Sequence, residues 1–284
     1  MSCAKYAEVT VDLNALAHLA AQGDRAALER LCLEVRDPIY RLALRTLGSP
    51  HDAEDAAQEI LIQVVTHLGQ FQGRAQLMTW VYTIATRSLL RTRRRAAEDQ
   101  VRGAEPFAQW LDSHLADPAY GPAEKAELHL LEEECRLACT QGMLLCLTRE
   151  HRIALLLGDV LKLSDREGAQ ICEVSRATFR QRLARARKTI RLIIGKRCGL
   201  VDPGNSCSCS RQIGACVQAG IMDPQRPVFA HLPRVGLTNG MTLTRGASQL
   251  NELERFAELI GSEGFQAPES VWAQVRLKAP DLVT

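Results

Sequence analysis

The stretch Ser164–Ile194, SDREGAQICEVSRATFRQRLARARKTIRLII, decides how the rest of the chain is read. Ser164, followed three residues later by Glu167, is a capping box that opens a short helix ending near Ile171. Cys172-Glu173-Val174 makes a turn, and Ser175 caps a second helix running to about Ile194. Ala169, Val174, Phe179 and Leu183 are the inward positions that lock two helices at a steep angle, the spacing of a helix-turn-helix. On the second helix Phe179, Leu183, Ala186 and Ile190 form one stripe. Arg176, Arg180, Ala184, Arg187 and Arg191 form the opposite one. A helix with an apolar back and an arginine front fits a major groove, where Arg pairs with guanine and grips phosphates. A helical hairpin with a merely solvated basic face has the same period, so the surrounding chain must decide.

Composition agrees with a helical reading. The 284 residues suggest about two domains at ~150 residues each. Aromatic residues are only 5%, which disfavours sandwiches and barrels, while Ala, Leu, Arg, Glu and Gln are strong helix formers. The expectation is an all-α protein. No apolar run approaches the ~18 residues of a membrane span, so no membrane association is expected. The N-terminus lacks a basic stretch followed by an apolar core, so the chain is expected in the cytoplasm, with its ten cysteines reduced.

The net charge of +2 hides strong local asymmetry. No acidic residue lies between Ser175 and Arg197, and a second basic knot stands at Arg87, Arg91, Arg93, Arg94 and Arg95. Glu98 to Glu134 is strongly acidic between them. Two cationic patches around an acidic spacer point to two contacts with one polyanion. Upstream, Gly23-Asp24 is a stop followed by an N-cap, Pro38 is expected to restart a helix, and Ser49-Pro50 opens another. On that helix Asp52, Asp55 and Glu59 line up on one face, and a last helix runs from Met78 to about Arg95. Gly103, Pro106, Pro118, Gly121 and Pro122 mark residues 96–125 as a mobile or loosely packed linker.

Taken together, these segments resemble a sigma factor of bacterial RNA polymerase, of the extracytoplasmic-function (ECF) subfamily of the sigma-70 family. DAEDAAQEILIQVV (52–65) resembles its polymerase-binding helix. FQGRAQLMTWVYTIATRSLLRTRRR (71–95) resembles the segment that melts and reads the minus-ten promoter element. Residues 147–191 resemble domain four, which reads the minus-thirty-five element. The resemblance implies sigma domain two over 12–95, an acidic flexible linker over 96–125 and domain four over 126–195. Beyond them lies a partly helical, cysteine-rich extension over 196–284. It implies a subunit that binds core polymerase, recognises promoter DNA and directs initiation, with no catalysis of its own. Asp52, Asp55, Gln58 and Glu59 would meet the clamp helices of the largest polymerase subunit. Loop 71–77 would hold a flipped base, with Trp80 as support from the core. Arg87, Arg91, Arg93, Arg94 and Arg95 would hold phosphates, and Arg176, Thr178, Arg180, Gln181, Ala184 and Arg185 would face the promoter groove. Arg182 and Arg187 would grip phosphate or stabilise the helix C-terminus. Two departures stand out: Arg87 and Arg91 replace a frequent Asn and Asp, and Gly168 replaces an apolar residue, leaving a gap or a closer helix approach.

The extension offers Cys198, Cys207, Cys209 and Cys216, with Pro203-Gly204-Asn205 as a turn folding the first back on the next two. Four thiolates suit zinc or another thiophilic metal, though the spacing is not that of a zinc ribbon, and unligated thiols are an equal expectation. The extension resembles cysteine-rich tails of metal-responsive sigma factors that work without a separate anti-sigma protein. Cys135 and Cys139, at spacing i, i+4 on the helix before the helix-turn-helix, are expected to pack. Short amphipathic helices at 250–260 and 270–277 would either dock on a sigma domain and hold it inactive or stabilise the chain. Two alternatives compete with this reading. A stand-alone helix-turn-helix regulator leaves the carboxylate helix unexplained. A metal-storage or redox protein needs a denser set of thiols than ten in 284 residues.

Overall fold

The computed structural model describes residues 11–93, 96–101, 103–115, 125–235 and 250–278. Every regular element among them is helical. In the first unit α1 (Leu13–Ala21), α2 (Arg25–Leu47), α3 (Pro50–His67) and α4 (Leu77–Arg91) form a bundle. The side chains of Asp12, Asp24 and Ser49 accept the first amide hydrogens of α1, α2 and α3. Gly48, at φ 80°, stops α2 in the left-handed conformation. Pro38 does not restart a helix, as the sequence predicts, but lies inside α2. The carbonyl its missing N–H leaves without a partner is that of exposed Glu34, which water can satisfy. The last helix of the unit stops at Arg91 rather than near Arg95, with Thr92 turning to ψ 137°.

The segment expected to be loosely packed carries two short helices, α5 (Ala96–Gln100) and α6 (Ala104–Ser113). Leu111 belongs to the common core, and Phe107 and Trp110 pack against it. Gly103 marks the break before α6 and Pro106 sits in its first turn, the apolar face of α6 fastens 104–113 down, and Pro118, Gly121 and Pro122 lie outside the described residues. The second unit contains α7 (Lys125–Leu145), α8 (Arg149–Leu155, continued by a π-turn over Leu156–Val160), α9 (Asp165–Ile171) and α10 (Arg176–Ile194). In the extension are α11 (Cys209–Gln218), α12 (Glu252–Gly261) and α13 (Glu269–Lys278).

One hydrophobic core runs through both units and the extension, from Ala17 to Val275. Between the units the join is polar, and α8 supplies it. Arg152, 1% exposed, donates to the carbonyls of Leu144 at 2.8 Å and Leu147 at 2.8 Å, to that of Thr46, and to Glu98 at 3.3 Å. Arg149 donates to the carbonyls of Leu89 at 2.9 Å and Arg93 at 2.8 Å, to that of Thr92, and to Glu98 at 2.9 Å. The carbonyl ends of α2, α4 and α7, which carry partial negative charge, are therefore met by two guanidinium groups. Buried Glu98 of α5 is the shared counter-ion. Burial lowers the pKa of Arg152 to about 10, which still leaves it charged at neutral pH.

Candidate nucleic-acid interface

The helix-turn-helix forms as its sequence predicts. Ser164 and Glu167 make a reciprocal capping box, and Ser175 accepts from the Thr178 amide. Phe179, Leu183, Ala186 and Ile190 are buried, while Arg176, Arg180, Gln181, Ala184 and Arg185 are exposed on the far side of α10. Thr178 is half-buried, its hydroxyl 2.9 Å from that of Ser175. Gly168 resolves as a close approach: a Cβ there would stand 2.2 Å from Phe179 Cζ. Arg187 is not part of the free front, because it forks onto Asp159 of the π-turn at 3.0 and 2.6 Å. α10 thus presents a continuous cationic face with its apolar stripe locked behind it.

The second basic patch sits at the end of α4. Arg91 and Arg93 are exposed, whereas Arg94 and Arg95 lie outside the described residues. Arg87 is turned onto Glu173 in the helix-turn-helix turn, with Nε 2.5 Å from Oε2 and a second bond to Oε1. That hydrogen bond holds the Glu173 carboxyl below its ordinary range. Glu173 has φ 53°, the left-handed region that non-glycine residues seldom adopt. The basic ends of the two units therefore touch each other. In loop 71–77, Phe71 is tucked between His18 and Trp80, at ring distances of 5.8 and 5.6 Å. Asn14 of α1 ties the loop by bonds to the Leu77 amide and the Gln76 side chain, both 2.8 Å. Trp80 is half-buried against the core, a supporting position.

On α3, Asp55 and Glu59 are exposed and Asp52 half-buried, in the row expected from their spacing. Gln58 is buried, 8% exposed.

Two family models match the chain: Sigma-70 region 2 over residues 31–98 and Sigma-70 region 4 over 137–190. The probable RNA polymerase sigma-C factor of Mycobacterium bovis is 30% identical over 182 residues, covering 63% of this chain and 89% of that protein. The ECF RNA polymerase sigma factor SigW of Bacillus subtilis is 28% identical over 171 residues, covering 60% and 90%. This chain belongs to the ECF sigma factors of the sigma-70 family. It is a transcription initiation factor, and the reading as a stand-alone regulator is not favoured. A solved structure of CnrH in complex with the cytosolic domain of CnrY is also similar, at 20% identity and a TM-score of 0.45, covering 65% of this chain and 97% of that one.

The family models end at residue 190, and beyond that point this sigma factor embraces its own two domains. α12 lays Leu253, Phe256 and Ile260 into the core beside the π-turn of domain four, where Gly261 comes close to Val160. The next residues cross to domain two. Arg45 donates to the Ile260 carbonyl at 3.3 Å and stacks over the Phe265 ring at 5.0 Å, and Asp37 accepts from the Ala267 amide at 3.1 Å. α13 then buries Val271, Trp272 and Val275 against domain two. Ser270 donates to Glu54 at 3.2 Å and Lys278 to Gln58 at 3.4 Å, so the end of the extension lies on α3 itself.

Domain four grips the extension through α7. Glu134, 1% exposed, accepts from the amides of Val228 at 2.9 Å, Phe229 at 2.8 Å and Ala230 at 2.7 Å. Glu133, Arg136, Arg234 and Glu263 form a partly buried ion network. In the sequence Glu133 and Glu134 are part of the acidic stretch between the two basic patches, with nothing local to mark these partners.

The turn at 203–205 folds as expected: Gly199 N–H donates to the Cys207 carbonyl at 2.9 Å and Cys207 N–H to that of Arg197 at 3.1 Å. Cys198, Cys207 and Cys209 share a small cavity with Cys139 and Cys135 of α7. Cys216 packs on Cys135, its sulfur 3.7 Å away, with Cys209 against the same small cluster. Among the described residues no three His, Cys, Asp or Glu side chains are arranged to hold a metal ion. Among the same residues no helix is long and apolar enough to cross a membrane.

Proposed function

We propose that this sigma factor rests in a closed form held by its own extension, and that the extension must leave α3 before core polymerase can dock. The observation that carries this is the stretch Asn251–Lys278, which packs on domain four through α12 and on domain two through α13. Asp52, Asp55, Gln58 and Glu59 are the residues for the polymerase clamp helices. Lys278 occupies Gln58 and Ser270 occupies Glu54 one turn before it. Arg87, Arg91 and Arg93 to Arg95 serve the minus-ten region, and Arg176, Thr178, Arg180, Gln181, Ala184 and Arg185 serve the minus-thirty-five groove. The names of the two elements put them roughly 25 base pairs apart, on the order of 80 Å of duplex at about 3.4 Å per pair. An Arg87–Glu173 bond cannot span that distance, so promoter binding by both domains requires them to separate. The restraint needs no separate anti-sigma protein, though it does not preclude one.

The test is binding of core polymerase by the full chain and by a Trp272→Ala, Val275→Asp variant. Affinity should rise about tenfold for each ~1.4 kcal/mol the α13 contact contributes, because only the open fraction binds. Unchanged or weaker binding, with the helical signal intact, contradicts the closed resting form. Charge reversal at Asp55 and Glu59 should abolish the gain.

A further inference from the structure

Two of the thiols are set up for a chemistry other than metal binding. Cys135 on α7 and Cys216 on α11 hold their sulfurs 3.7 Å apart, in a satellite cluster with Leu131, Ile213 and Met222. Their surroundings are unequal. Cys216 forms part of the wall of an open cavity of about 870 Å³ that also includes Phe107, Trp110 and Gly220. Cys135 is absent from that wall and borders a small cavity of about 30 Å³, with room for little more than one water. Both residues are buried, and the open cavity approaches the pair from the Cys216 side. The thiol–thiol hydrogen bond with Cys135 lowers the pKa of Cys216, while burial raises that of Cys139, the other cysteine bordering the open cavity.

We infer that Cys216 and Cys135 are a peroxide-oxidisable dithiol, Cys216 the attacking sulfur and Cys135 the resolving one, whose bond staples the extension to domain four. The Cys216 sulfur attacks one oxygen of hydrogen peroxide, the O–O bond breaks, and the hydroxide released leaves as water with the thiol proton. The resulting Cys216 sulfenic acid is attacked by the Cys135 sulfur. The S–S bond forms, the S–O bond breaks, and the departing hydroxide takes the Cys135 proton. Overall two thiols lose two electrons and peroxide is reduced to two waters. The link joins positions 81 residues apart, from α7 to α11, and fixes the root of the extension. Formation of the bond is independent of the closed resting form proposed above. Its consequence, tighter closure, rests on that proposal.

Treatment of the reduced full-length chain with equimolar hydrogen peroxide, then alkylation and peptide mass mapping, tests the pair directly. The expected product is a single Cys135–Cys216 crosslink with the remaining cysteines alkylated. Cys135→Ser should instead leave a sulfenic acid at Cys216 that dimedone traps, and Cys216→Ser should leave Cys135 unreacted. Crosslinks among Cys198, Cys207 and Cys209, a Cys139–Cys216 crosslink, or no crosslink at all overturn the assignment, and the wild-type chain alone distinguishes these outcomes. The oxidised chain should then bind core polymerase about tenfold or more weakly than the reduced one. A crosslink without that loss leaves the dithiol standing and contradicts the closed resting form.

Discussion

A Cβ on residue 168 would have nowhere to go. The Phe179 ring fills that space, and the ring is itself fully buried between α9 and α10. Gly168→Ala should therefore destabilise domain four by about 1–3 kcal/mol through overpacking, measurable by thermal denaturation. A smaller partner, in the double variant Gly168→Ala with Phe179→Leu, should recover part of that loss. Glu173 has two loads to bear, a left-handed backbone and the bond to Arg87. Glu173→Gly relieves the backbone and frees Arg87, so affinity for duplex DNA should rise, as read by fluorescence anisotropy at fixed salt. The same variant clarifies the acid response. The Glu173 pKa is lowered in the folded chain, so the pair's contribution is complete above the unfolded value of about 4.3. It is lost as pH falls through the lower folded value, and being half-exposed it is worth only ~0.2–1 kcal/mol. At this scale Gly168 was legible because a glycine in an apolar register is conspicuous. The partner of Arg87 was not, since nothing local marks a contact 86 residues away.

Among the elements, α8 carries the join. Its two arginines satisfy carbonyl ends that would otherwise be buried without partners, and Glu98 of α5 balances them. Removing Arg152 strips the buried Thr46, Leu144 and Leu147 carbonyls of their charged donor and leaves Glu98 to Arg149, so Arg152→Met should cost about 3–5 kcal/mol in urea unfolding. Arg149→Met should cost less, because Arg149 is partly exposed. The helices themselves were largely legible: Asp24, Ser49, Ser164 and Ser175 cap where the sequence placed them. Two elements depart from their local sequence signals for identifiable reasons. Pro38 is a helix breaker locally, yet the apolar stripe of Leu31, Val35, Ile39 and Leu42 holds α2 together on both sides of it. The linker's glycines and prolines hid Phe107, Trp110 and Leu111, whose helical spacing fastens α6 to the core. Acidic α7 was similarly masked, because a run of glutamates such as Glu132–Glu134 gives no sign that three backbone amides will meet one of them.

At the level of the molecule, periodicity and capping report domains one by one but not how they meet. The arrangement depends on long-range pairs such as Arg45 with Phe265, Asp37 with Ala267 and Arg136 with Glu263. The two basic units, legible in the sequence, are here turned toward each other, with α13 against the carboxylate-bearing α3. The most direct measurement is the distance between a label at Arg25 in domain two and one at Lys188 in domain four, both exposed, introduced as unnatural amino acids to spare the cysteines. Free chain should give one short distance that lengthens by tens of ångströms when core polymerase and promoter DNA are added. The Trp272→Ala, Val275→Asp variant should show the longer distance in part before any addition. A distance that is already long in the free chain, or that stays short in the promoter complex, would contradict closure by the extension.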